Sequence, residues 1–360
     1  GEEMTEREWL SIGLEKGIID AQEYEEISFL EAYREWFVMK MNCVKKKQSI
    51  DRIEVTFNKY FANAKVLEMP ISSISDGDII KILHWIIYSY PHMTLKEFAK
   101  VMQVMRSPLV YMRDIGRGGV PLHDWEMIKR NIPMEKLEVK RDKENAIPMQ
   151  VVEHILDCVL NGHIYPVKYN TSLLLCMNFY LGLRVGELAS LTFDDFDLER
   201  NVVKIYKTES KYYERSEDGS KLGVMVYRVV DSTKTVYSVR EIPLVPEVKL
   251  ILQMIRDRHS ECGYDTPYLC YDGQDTIKVK SLDRTLRKLC KLCDVRYFNT
   301  HLIRKTFATM LHDNGVPTRA ISDLLGHSDI ATTENSYILS YADKYEQYLG
   351  YMRGALKFTL

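Results

Sequence analysis

Apolar positions in the first third of the chain recur at three- and four-residue steps. Phe29, Ala32, Tyr33, Trp36, Phe37 and Met41 keep one face apolar, which predicts a long amphipathic helix from Tyr24 to about Ser49. Further helices are predicted at 50–63, 76–89, 94–106 and 122–131, punctuated by Pro70, Pro91, Pro108, the run Gly116-Arg117-Gly118-Gly119 and Pro133. This pattern predicts an all-helical domain over about 24–135, preceded by a short acidic segment, 1–23. Residues 136–145 are highly charged and carry almost no apolar periodicity, so they are predicted to be an interdomain linker.

After Pro148 the pattern changes. Helices are predicted at 149–160 and 167–182. The runs 201–207, 223–230 and 236–242 then alternate and are rich in β-branched and aromatic residues, as strands are. Between them lie a stretch read as a long polar loop, 208–222, and a short turn, 231–235. From 246 onward the pattern is helical again, broken at 263–267, 315–317 and Gly326. The expected fold class is mainly α with a small β-sheet: a helical domain, then a mixed α/β domain over 146–345 and a C-terminal tail, 346–360.

Composition narrows the class. Of 360 residues, 46% are hydrophobic and 28% charged, which excludes a disordered or collagen-like chain. The longest apolar run, Ile79–Tyr90, is interrupted by Lys81 and His84 and is too short to span a bilayer. The first 25 residues are acidic and lack the apolar core of a signal peptide. A cytoplasmic protein with no membrane partner is expected. The start at Gly1 rather than Met suggests a processed or engineered terminus. Seven scattered cysteines suit a reducing compartment. Cys290 and Cys293 offer two ligands where structural zinc takes four, and they extend the apolar stripe of Leu282, Leu286 and Leu289, so no metal site is expected.

The net charge of −2 hides an uneven distribution. Residues 1–35 hold eleven acids against three bases, so the rest of the chain carries +6. Two windows are strongly basic: 40–65, with seven bases and two acids, and 278–305, with nine bases and two acids. Local charge is what a phosphate backbone meets. Candidate DNA contacts are therefore Lys45, Lys46, Lys47 and Ser49 in the first window. In the second they are Arg284, Arg287, Lys288 and Lys291, which share the polar face of a predicted helix. A solvated surface is the plain alternative for both sets. For Lys45–Lys47 that alternative takes the form of a C-terminal turn favoured by the helix dipole.

The chemistry-bearing residues fall in three stretches. Leu181-Gly182-Leu183-Arg184-Val185-Gly186-Glu187-Leu188 comes first. Thr300-His301-Leu302-Ile303-Arg304 follows, with His301 and Arg304 on one helix face and Thr300 the expected N-cap. Leu324-Leu325-Gly326-His327 is third, with Tyr337 ten residues later. Arg184 and Arg304 each offer a planar fork of donors suited to phosphate oxygens. Tyr337 supplies a phenol, whose ordinary pKa near 10 requires neighbouring cations before it can attack. Glu187, one turn from Arg184, is expected to orient that guanidinium or to make a simple surface pair with it.

In order and spacing these boxes closely resemble those of the tyrosine recombinases, or phage-type integrases, over about residues 24–345. The resemblance implies a helical core-site-binding domain ahead of a catalytic domain. It also implies that Tyr337 attacks a DNA phosphodiester to give a 3′-phosphotyrosyl link and a free 5′-hydroxyl. Arg184 and Arg304 would then hold the phosphate, His327 would hydrogen-bond to it, and His301 would assist proton movement. The family's general acid is a lysine on a β-hairpin. Lys234 in Ser232-Thr233-Lys234-Thr235 matches best, with Lys207 and Lys211 as competitors. The ten-residue gap from His327 to Tyr337 departs from the nine of many members, and Tyr341 fits worse. The resemblance further implies duplex DNA as partner, no cofactor, and a homotetramer on DNA with the tail exchanged between subunits. Integration or excision of a mobile element is the expected role. A type IB topoisomerase-like enzyme and a catalytically silent DNA-binding regulator are the alternatives. Many integrases carry an extra arm-site-binding domain, for which residues 1–23 are too short.

Overall fold

The computed structural model describes residues 26–44, 47–139, 146–166, 168–231, 239–273 and 279–326. They divide into two compact units. One comprises the described residues before 140 together with Lys211–Val226, and the other comprises those at 146–210 and from 227 on. No helix among the described residues is long and apolar enough to cross a membrane.

The first unit is built on α1 (Phe29–Cys43), α2 (Lys47–Tyr60), α3 (Asp76–Ser89), α4 (Leu95–Asp114) and α5 (Trp125–Arg130). Three of these start with reciprocal caps: Ser28 with Glu31, Ser75 with Asp78, and Thr94 with Glu97. Their apolar faces meet in a core that includes Phe29, Trp36, Phe57, Phe61, Leu83 and Met105. The Tyr33 and Phe57 rings stack at 3.7 Å.

Two sequence expectations are corrected here. The first helix does not run to Ser49. Val44 adopts an extended conformation and ends it, and Lys47 opens α2, so Lys47 lies at a helix start and draws no support from a C-terminal dipole. Helix α4 does not stop near Pro108 but continues to Asp114, because Leu109 and Met112 extend the buried face past the proline.

The stretch 208–222, expected to be a loop, is mostly hairpin. Strand β3 (Lys207–Arg215) pairs with β4 (Lys221–Asp231) through a tight turn at Ser216–Ser220. Its tip packs with the helical unit through charge rather than apolar burial. Arg215, nearly buried, donates to Asp51 at 2.7 Å and to Glu54 at 2.8 Å, and Lys221 pairs with Glu54 at 2.7 Å. The predicted strand 223–230 falls within β4, whereas β3 and the tip, whose polar residues are satisfied by such pairs, carry no hydrophobic signature and were not marked by alternation.

In the second unit α7 (Tyr169–Leu181) is buried on nearly every side, and its buried polar residues Asn170, Thr171, Ser172 and Asn178 are all hydrogen-bonded. It packs against α6 (Met149–Leu160), α9 (Pro246–Cys262), α10 (Val279–Leu292) and α11 (Thr300–Asp313). A three-stranded antiparallel sheet runs in the order β1 (Phe196–Asp197), β2 (Val202–Ile205), β5 (Arg240–Pro243). Ile205 lies opposite Arg240, and Arg240 and Ile242 face inward while Glu241 faces out to Arg200. Two short helices, α8 (Val185–Ala189) and α12 (Thr318–Leu325), complete the unit.

Candidate active site

The site begins where α7 ends. Gly182 takes a left-handed conformation, and a Cβ there would lie 2.3 Å from the Phe307 ring, so only glycine fits. Asn178, fully buried, accepts from the Leu183 amide at 2.7 Å and donates to the Leu183 carbonyl at 3.3 Å. These contacts fix the chain direction just before Arg184, which caps α8.

Glu187 is 3% exposed and sits at the centre of a charged cluster. Its carboxylate accepts from the Arg184 backbone amide and from Arg184 Nη1, each at 2.9 Å. It also accepts from Arg240 Nη1 at 3.2 Å and Nη2 at 2.9 Å. Burial pushes this carboxyl toward its neutral form, but the Arg240 hydrogen bonds and the charges of Arg240, Arg184 and Arg304 outweigh it and hold the pKa at about 2.

All three arginines also reach the carbonyl end of α12. Arg240 Nε donates to Leu324 O at 2.6 Å, Arg304 Nη2 to Leu325 O, and Arg184 Nη2 to Gly326 O at 2.9 Å. Arg304 Nη1 also donates to Gly182 O at 2.9 Å, so one side chain ties the end of α7 to the end of α12. These are the unpaired terminal carbonyls every helix leaves, and the partially negative pole of its dipole. Gly326 closes α12 in the left-handed conformation. Among the described residues, these three cations and one carboxylate sum to a double positive charge. Arg304 and Arg240 are buried, whereas Arg184 keeps its side chain 44% exposed. Among the described residues, Arg184 is therefore the member of this cluster that an incoming anion meets first.

His301 lies one turn before Arg304 on α11 and is exposed. That helix is capped by Asn299, whose side chain accepts from the Leu302 amide at 2.9 Å, and not by Thr300, which is buried as its first residue. Lys234, His327 and Tyr337 lie outside the described residues. Lys207, a competitor for the acid role, donates to Asp195 and Thr192 at 2.8 Å each and is held in that pair. Lys211 is exposed and belongs to the helical unit.

Of the candidate DNA contacts, Arg284, Arg287, Lys288 and Lys291 are all exposed along α10. Arg287 stacks on Tyr297 at 3.9 Å. Lys47 is exposed beside the Tyr212 ring, and Lys45 and Lys46 lie outside the described residues. Ser49 lines a cavity of about 380 Å³ together with Lys40, Arg52, Lys100 and Gln103, with no acid among the described residues that line it. Lys40 and Arg52 belong to the basic window 40–65, whereas Lys100, from a third helix, lies outside it. Cys290 and Cys293 are buried, and among the described residues no group of three or more potential ligands is arranged to hold a metal.

Sequence reasoning also missed Arg240 and Asn178. An arginine at an inward-facing strand position was the available signal for the first. Asn178 carried none.

Comparison with known proteins adds the family. A model of the phage integrase family matches residues 145–344. The tyrosine recombinase XerC-like protein of Caldanaerobacter subterraneus subsp. tengcongensis is 24% identical over 329 residues, covering 88% of this chain and 80% of that protein. Tyrosine recombinase XerA of Thermococcus kodakarensis is 28% identical over 200 residues, covering 55% of this chain and 59% of the relative. Among solved structures, the Tn1549 transposon integrase in complex with transposon right end DNA superposes with a TM-score of 0.64 at 17% identity, over 89% of this chain and 99% of that one. The XerH site-specific recombinase bound to difH substrate superposes at 0.59 and 13% identity, over 88% and 97%. With a family model covering more than half its length, and with the arginine boxes gathered in one cluster, the chain belongs to the phage integrase family of tyrosine recombinases.

Proposed function

We propose that this chain cleaves and rejoins duplex DNA at specific sites through a 3′-phosphotyrosyl intermediate, in the integration or excision of a mobile element. The observation that carries the proposal is the convergence of Arg184 and Arg304 on Leu325 and Gly326 at the end of α12, the two residues before His327. A phosphate there would find two guanidiniums already oriented. Their charge stabilises the extra negative charge of a five-coordinate phosphorus, and such preorganised charge is the largest usual contribution to this chemistry.

In the proposed reaction the Tyr337 oxygen attacks the scissile phosphorus and loses its proton toward His301. The bond from phosphorus to the 5′-oxygen breaks, and Lys234 gives that oxygen a proton. His327 donates a hydrogen bond to the phosphate. Rejoining runs the same steps backward with the 5′-hydroxyl of another strand, so bond energy is retained and no cofactor is consumed. The commitment of Lys207 to Asp195 favours Lys234 for the acid role.

The helical unit acts as the core-site-binding domain, with Lys45, Lys46, Lys47 and Ser49 on the DNA backbone. In the catalytic unit Arg284, Arg287, Lys288 and Lys291 do the same. Strand exchange takes place in a homotetramer, with residues 346–360 docked on a neighbouring subunit.

The test is a nicked suicide duplex that releases the 5′-hydroxyl fragment. A covalent protein–DNA adduct is expected with the wild-type chain and none with Tyr337→Phe. A wild-type chain that binds the duplex but forms no adduct would favour the silent regulator. Plasmid relaxation without joining of two sites would favour the topoisomerase-like enzyme.

A further inference from the structure

We propose that Arg240 is a positioning residue for strand cleavage, holding Glu187 and the end of α12 so that Arg184 stays available to the phosphate. The inference rests on the reading above, in which Arg184 serves the scissile phosphate.

Arg240 belongs to the buried part of the cluster and is not itself placed for contact with DNA, since its side chain is 5% exposed. Its guanidinium reaches both Glu187 and the end of α12. Nη1 and Nη2 take one side of the Glu187 carboxylate, and Nε takes Leu324 O. Strand β5 fixes its backbone, with Ile242 on the same inward face and buried. The guanidinium fork thus links the sheet, α8 and α12 through one side chain.

The consequence falls on Arg184. A buried carboxylate seeks as many donors as it can reach. With Arg240 present, Glu187 has two donors from each arginine, and Arg184 is left with Nη2 directed at Gly326 and much of its surface open. Without Arg240 the carboxylate has only Arg184 to satisfy it. The expected response is that Arg184 turns inward and Leu324 O loses its donor, which loosens the end of α12. Lysine cannot repair this, because one ammonium cannot span both acceptors in the fork geometry.

The test compares the rate of covalent adduct formation at saturating DNA on two suicide duplexes. One has the ordinary phosphodiester at the scissile step. The other has a methylphosphonate there, which has lost one negative charge and so depends less on a correctly placed cation. The wild-type chain and Tyr337→Phe serve as controls, and absence of an adduct with the wild-type chain counts against the proposed function itself. Arg240→Gln is expected to slow adduct formation on the phosphodiester by at least about tenfold, with DNA affinity within about threefold of wild type. On the methylphosphonate duplex the ratio of wild-type to variant rate is expected to shrink to below about threefold. A folded variant that cleaves the phosphodiester at the wild-type rate overturns the inference, and so does an equal loss on both duplexes. If thermal melting shows that Arg240→Gln does not fold, Arg240→Lys is measured in its place, with the same expectations and the same overturning results.

Discussion

Arg184 and Arg304, which stand in different sequence boxes, both direct guanidinium nitrogens at one atom, the Leu325 carbonyl oxygen. Arg304 does so from the buried side and Arg184 from the exposed side, at 3.4 Å. The end of a short helix thus serves as the anchor around which the two cations are spaced.

Replacing Arg184 by lysine keeps the charge but loses the fork. Adduct formation is expected to fall by about 100-fold or more while DNA affinity changes little, because the lost contact matters most in the transition state. Single-turnover cleavage and an equilibrium binding titration of the same variant would separate the two effects.

Arg304→Ala is expected to act on the fold as well. It takes a donor from the buried Gly182 carbonyl, leaves Leu325 O with only the longer contact from Arg184, and removes one of the cations near Glu187. A loss of about 2–4 kcal/mol in urea unfolding is expected, larger than for Arg184→Ala, whose side chain is partly solvated.

Glu187 makes a pH prediction with a definite sign. Its folded-state pKa of about 2 lies below the ordinary carboxylate value, so its contribution is complete above about pH 4.5 and fades as pH falls toward 2. The contribution is on the order of 3 kcal/mol. Urea midpoints measured from pH 6 to pH 3 should fall more steeply for the wild-type chain than for Glu187→Gln.

Neutralising Arg284 or Lys288 on α10, or Arg52 or Lys100 at the cavity of the helical unit, should weaken DNA binding across sequences. The slope of log affinity against log salt should become shallower by about 0.9 for each phosphate contact removed. An unchanged slope would assign that residue to the solvated surface.

Arg215→Ala should destabilise the helical unit by about 3–5 kcal/mol, because Asp51 and Glu54 would lose the buried partner they share. Urea unfolding of the single variant, compared with Arg215→Ala/Glu54→Gln, would show partial recovery in the double variant.

Much of the helical framework was legible because period 3.6 is a direct consequence of one-sided burial. Helix 76–89 and helix 149–160 were placed to the residue by that signal and its punctuation. Of the hairpin Lys207–Asp231, the run 223–230 was marked by alternation, but β3 and the tip were not, since ion pairs there leave no apolar trace. The break at Val44 was hidden because no Gly or Pro punctuates residues 41–50. In the site, Arg184, Glu187 and Arg304 could be singled out from local motifs. Arg240 offered only an arginine at an inward-facing strand position, because its partners come from strand register and from a helix end far along the chain. Lys234, His327 and Tyr337 rest on the family resemblance.

The donors at the end of α12 have one more consequence. Three like charges repel, and gathering them around a binding event would be slow and costly. Here their mutual repulsion is offset beforehand by Glu187 and by carbonyl oxygens that any helix end must expose somewhere. The protein therefore holds its electropositive core assembled at rest, and an arriving nucleic acid has only to exchange one neutral oxygen acceptor for a charged one.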